Sequence, residues 1–225
     1  MSNAHQTAIQ DAYEALLLSY AAGLLDQAQS LIVASHIALS PQAREKVETC
    51  EAIGGALMER NCEPVSMRSE SLTNVLRHLD NPQERSEQID EQIIEIVFPE
   101  GLSIPLCLKR TVACHVRQTH WRRLRPGIEG LELTLECRQS RTRFLKAERG
   151  VKTPCPPQRG MELTLVLDGA LMDETGMYKR GDLVIVDETI HHQPISCERQ
   201  GGFYMVVSST PTGGLHRLLN SLFRF

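Results

Sequence analysis

Two places in the sequence combine residue types that can do chemistry. Glu162 and His192 are a carboxylate and an imidazole, donors that suit a divalent metal or an acid–base pair. Glu162 closes the spacing Gly150-x5-Pro156-x-Gln158-x3-Glu162, with Gly169 beyond it. On a strand, positions 156, 158 and 162 can share one face, because successive side chains alternate. Pro156 has no donor atom, the Gln158 amide is a poor ligand for zinc, and Cys155 points to the other face unless the strand bulges. A hydrogen bond from His192 would satisfy an inward-facing Glu162 as well as a metal would. His191 points outward. The second place is His36, at the end of a helix, which either ligates a metal or favours the carbonyl end of the helix dipole. The seven cysteines include no Cys-x2-Cys pair and read as packing residues rather than redox sensors. The run Arg122-Arg123-Leu124-Arg125 reads as a solvated strand end rather than a phosphate site.

These residues need elements to position them. The first eighty residues have helical periodicity. Apolar positions recur from Tyr13 to Ala22, and Gly23 is placed as a left-handed stop. A second helix is expected over about 26–39, with Leu31, Ile32, Ser35 and Leu39 near one face. Ser40-Pro41 offers a capping hydroxyl followed by proline at the first position of a third helix. That helix carries Val47, Cys50, Ile53, Gly54 and Leu57 at core-like spacing. Glycine in a helix costs roughly 1 kcal/mol against alanine, so Gly54-Gly55 implies a closely packed neighbouring helix. A fourth helix should begin at Ser69 or Ser71 and run to Leu79, with Leu72, Val75, Leu76 and Leu79 on its apolar side. A charged stretch over 80–92 reads as a solvated boundary. The apolar segment Ile93 to Phe98 and a short helix near Pro105 follow. From Trp121 the period changes to two: Leu131 to Leu135, Met161 to Leu167, Leu183 to Val186 and Phe203 to Val207 are strand-like. Asp173 to Gly176 and Arg180-Gly181-Asp182 supply turns. The expected fold is therefore α+β: an N-terminal module of about four helices over 1–90, a linker with a short helix over 91–118, and a β-barrel over 119–225.

The composition narrows the function classes. A formal charge of −4 over 225 residues argues against broad nucleic-acid binding. The richest apolar stretch, Ala12 to Leu25, is too short to span a bilayer and contains Glu14. No basic-then-apolar leader pattern opens the sequence, and seven unpaired cysteines suit a reducing compartment, so a cytoplasmic protein is expected.

The spacing ending at Glu162 and Gly169, followed by Gly181-Asp182 and His192, resembles the two metal motifs of a cupin (jelly-roll) barrel. From Trp121 to Gly127, through Glu162 to Gly169, and on to His192-Gln193-Pro194, the chain resembles the cupin-like domain of ChrR-type anti-sigma factors. Leu18 to Gly23, Val33 to His36 and Glu51 to Glu59 are similar to the matching helical anti-sigma domain. The resemblance implies a regulator that binds an ECF-type RNA polymerase sigma factor until a stress signal, such as singlet oxygen, releases it. It also implies zinc in both domains, and here the sequence departs. At the helical site His36 is kept, Ser40 and Ala43 stand where the family has cysteines, and Asp11 falls near the upstream histidine. Cys50 lies seven residues past 43, about 10 Å along the axis, against a zinc–sulfur bond of about 2.3 Å. In the barrel, Pro156 and Gln158 replace two ligands, which leaves Glu162 and His192.

Three functions follow. A sigma-binding regulator would use apolar helix faces, with Leu17, Leu24, Leu25 and the exposed side of the fourth helix as contacts. A metal-dependent cupin enzyme, such as a dioxygenase, needs three or four ligands around an open position, and two are present. A cupin that binds a small molecule without metal needs an apolar pocket. The regulator, not an enzyme, is the expected function, without structural zinc.

Overall fold

The computed structural model describes residues 3–80, 90–116, 120–136, 140–153, 160–174, 176–186 and 194–209. Among these residues, six helices precede an antiparallel barrel: α1 (Asn3–Ala21), α2 (Gln27–Leu39), α3 (Pro41–Asn61), α4 (Ser71–Asp80), α5 (Glu91–Val97) and α6 (Leu106–His115). Local signals set their ends. Gly23, at φ +68°, closes α1, with the Leu24 N–H donating to the Ser19 carbonyl. Asp26 caps α2: its Oδ1 accepts from the Gln29 N–H at 2.8 Å, and the Gln29 side chain reaches back to the Asp26 N–H. Ser40 ends α2 and caps α3, where Pro41 holds the first position.

The strands are β1 (Arg122–Arg125), β2 (Ile128–Leu133), β3 (Ser140–Ala147), β4 (Met161–Asp173), β5 (Gly176–Lys179), β6 (Leu183–Val186), β7 (Ile195–Ser196) and β8 (Gly202–Ser209). They pair in the order β1-β2-β3-β8-β4-β5, with β6 and β7 also on β4. β4 organises the barrel. Its first half lies between β8 and β6, and its second half pairs with β5 and β7. The strand bends at Gly169, at φ +73°, where a Cβ would strike the Gly201 carbonyl.

Both faces of the central strands are covered, so their alternation divides one sheet between two cores. Leu163, Leu165 and Leu167 of β4, with Phe203, Met205 and Val207 of β8, face the helices. Val166, Val184, Tyr204 and Val206 face the barrel interior. The helix-side core is continuous with Leu16 and Leu17 of α1, Ile32 of α2, Val97 of α5 and Leu108 of α6. Each such side chain removed from water contributes about 1.5–3 kcal/mol. Phe98, at the end of α5, meets Phe144 and Phe203 edge-on at 5.4 and 6.0 Å. The segment expected as a linker thus carries two helices whose apolar sides belong to the shared core. Strand β3 shows no simple alternation in the sequence, because Phe144 and Leu145 are buried on opposite faces.

The third helix differs from expectation. Ala43 and Val47 are buried, but the second half projects from the body, and Ile53 and Leu57 are exposed. Among the described residues, a Cβ at Gly54 or Gly55 would meet nothing within 4 Å, so no described helix accounts for the two glycines. No described helix is long and apolar enough to cross a membrane.

Candidate functional site

One cluster forms where the helices meet the barrel. His36, near the end of α2, is only 4% exposed. Its Nδ1 lies 2.7 Å from the Gly181 carbonyl, in the turn between β5 and β6, and its Nε2 lies 2.9 Å from the Tyr13 hydroxyl of α1. A carbonyl oxygen only accepts, so Nδ1 carries the proton, and the neutral ring accepts from Tyr13 at Nε2. Burial holds the imidazole below its ordinary pKa, against the opposing pull of the Gly181 carbonyl and Asp182. Burial likewise raises the Tyr13 hydroxyl, with Asp182 and Glu14 adding to it. Above the Tyr13 ring stands Lys46 of α3, its Nζ 5.5 Å from the ring centroid and 2.9 Å from Glu14.

The turn is fitted to this contact. Gly181 has φ +92°, and a Cβ there would lie 3.3 Å from both the Cβ and the carbonyl oxygen of Leu39. Its N–H donates to the Val166 carbonyl, and the Asp182 carboxylate accepts from the Lys179 N–H at 2.7 Å.

These residues do not fit a zinc ion. Both His36 nitrogens are engaged, the Ser40 hydroxyl accepts from the Ala43 N–H as a helix cap, and Ala43 has no donor. Asp11 is exposed. Among the described residues, no group of three or more His, Cys, Asp or Glu side chains could hold a metal ion.

The second cluster lies inside the barrel. Glu162 is buried, and its Oε2 accepts from Ser208 Oγ at 2.8 Å, with Arg143 Nη2 at 3.9 Å. Arg143 also donates to Ser208 Oγ at 3.4 Å. Burial raises the carboxyl pKa, while the Ser208 hydrogen bond and the Arg143 charge lower it and are outweighed. The cavity beside Glu162, lined by Thr153, Thr164, Val184, Val186 and Tyr204, measures about 20 Å³. That is room for about one water. His192, His191, Cys155, Pro156 and Gln158 lie outside the described residues, so the structure does not place them around Glu162.

The third feature is an apolar surface. Ile53, Leu57 and Met58 of α3 are exposed at 57%, 55% and 63%, as are Leu72, Val75 and Leu76 of α4. None of them belongs to either core. Leu17, expected at a partner surface, is instead 1% exposed in the helix-side core and offers a partner nothing. The periodicity that marks it as apolar is that of a core face. Leu24 is exposed, and Leu25 packs partly against the core.

The comparisons with known proteins agree with this architecture. The family profile described as the ChrR cupin-like domain matches residues 109–210. The anti-sigma-E factor ChrR of Cereibacter sphaeroides is 34% identical over 183 residues, covering 81% of this chain and 81% of the relative. The chain belongs to the ChrR family of anti-sigma factors. Within that family, the crystal structure of Rhodobacter sphaeroides SigE in complex with the anti-sigma ChrR superposes with a TM-score of 0.65 and 32% identity. That match covers 88% of this chain and 96% of the other. His36 in this chain is a hydrogen-bonded joint. Its partners Tyr13 and Gly181 carry no sequence signal, since nothing local ties position 36 to 13 or 181. Arg143 carries none either, because β3 shows no simple apolar alternation and meets β4 only through β8.

Proposed function

We propose that this chain is an anti-sigma factor that captures an ECF-type sigma factor on the apolar face of α3 and α4, and that it is not an enzyme. The observation that carries this reading is that Ile53 and Leu57 of α3, and Leu72, Val75 and Leu76 of α4, are exposed and belong to neither core among the described residues. Large apolar side chains left exposed along one side of a helix mark an interaction site, and amphipathic helices take partner helices along such faces. Family membership supports the same partner class, since the ChrR of the solved complex is bound to SigE. The metal-enzyme alternative would need a cluster of ligands around an open position, and the cavity beside Glu162 is far below the several hundred Å³ of a substrate pocket. The helical module works without zinc in this reading. Leu24 is a rim contact, and a stress signal that releases the partner acts through the barrel rather than through metal loss.

Transcription in vitro tests the proposal. Added in equal amount to an ECF sigma factor from its own genome, the chain should block initiation by that sigma factor and spare the housekeeping one, with or without chelator. Undiminished initiation with every such sigma factor, alongside metal-dependent turnover of a small molecule, would overturn it.

A further inference from the structure

Helix α2 is attached to the barrel at both ends. At its start, Asp26 Oδ2 accepts from Ser140 Oγ at 2.5 Å, and the Gln27 side chain accepts from the exposed Glu136 N–H at 3.1 Å. At its far end His36 makes the buried contact with Gly181. The second attachment reaches further into both halves. On the barrel side, Gly181 and Asp182 are hydrogen-bonded to the backbone of Val166, at 2.8 and 3.1 Å, and the Val166 side chain lies in the barrel interior. On the helix side, Tyr13 continues the contact to α1, and Lys46 over its ring reaches α3. The steps from Val166 to α3 are therefore direct hydrogen bonds and ring contacts.

We propose that His36 is the fastening through which the barrel and the partner-binding helices sense each other, so that a change inside the barrel is delivered to α1 and α3 by movement of the Gly181 turn. The proposal rests on the anti-sigma reading for the identity of the partner. Its geometry is independent of that reading. The imidazole is chemically suited to such a joint: in its neutral form it offers one donor and one acceptor on opposite sides, and so links a carbonyl of one half to a hydroxyl of the other. Gly181 is required because a side chain there would push the turn away from Leu39.

Hydrogen exchange read by mass spectrometry on the full chain, alone and with the sigma factor, is the test. His36→Phe keeps a ring and removes both bonds. It should speed exchange about tenfold at residues 179–183 and around Tyr13, while β3 and β8 stay unchanged. Tyr13→Phe should speed α1 alone, and His36→Gln, which keeps a donor and an acceptor, should restore part of the original pattern. Binding of the sigma factor should slow exchange at 179–183 in the unaltered chain and have no effect there in His36→Phe. Acceleration spread over the whole chain in both His36→Phe and Tyr13→Phe would mean a packing role and overturn the proposal. So would a bound sigma factor that leaves 179–183 unchanged in the unaltered chain. If no sigma factor binds at all, the anti-sigma reading fails, and the exchange pattern of the free chain still decides the fastening.

Discussion

His36 ties stability to pH. Its folded pKa lies below the ordinary value of about 6.5, so the unfolded chain binds the extra proton first. Stability contributed by the neutral ring is full above about pH 6.5 and is lost as pH falls through the folded pKa. The groups facing the ring are Tyr13 and Asp182, and Asp182 limits the loss without cancelling it. Denaturant titrations between pH 5 and 8 should show this slope in the unaltered chain and a flatter one in His36→Gln. Equal slopes would contradict the burial argument. Inside the barrel, Arg143→Met should cost about 1 kcal/mol, because Glu162 loses its cation and Ser208 a donor, and adding Glu162→Gln should recover most of it. Urea melts of both single variants and the pair measure this. A pair no better than Arg143→Met alone would show that the charge interaction contributes little.

The elements separate core from partner surface. Leu17 is enclosed, so Leu17→Ala should destabilise the chain by about 2–5 kcal/mol in thermal or urea melts. A Cβ at Gly54 would meet nothing within 4 Å among the described residues, so Gly54→Ala should stabilise α3 by roughly 0.5–1 kcal/mol. If a sigma-factor helix crosses α3 closely at that point, the same change weakens binding. Stability up with affinity down is the expected combination, and affinity unchanged would place the partner elsewhere on the face. The helix ends are legible in the sequence because Gly23, Asp26 and Ser40-Pro41 act on their own neighbours. Ile53 and Leu57 have the spacing of core residues and are not core, since a 3.6-residue period shows that a face is apolar and says nothing of whether its cover belongs to the same chain. In the site, strand alternation puts Glu162 on an inward face, but its partners Ser208 and Arg143 come from other strands, and the Tyr13–His36–Gly181 contact joins three segments only in the folded chain.

Across the whole molecule, the helices and the barrel share one core, and His36 makes a hydrogen-bonded joint between them. Metal removal should therefore leave the fold intact: the melting temperature of the full chain should be the same with and without chelator. A large drop, together with stoichiometric zinc by elemental analysis, would show ligands beyond those described. If the exposed apolar sides of α3 and α4 hold the sigma factor, the affinity of the full chain for it, measured by calorimetry, must depend on their leucines. Leu57→Ala should leave folding unchanged, because Leu57 touches neither core, and should cost about 2 kcal/mol of binding, roughly thirtyfold in Kd. Unchanged affinity in a folded Leu57→Ala/Leu76→Ala double variant would show that the sigma factor binds elsewhere.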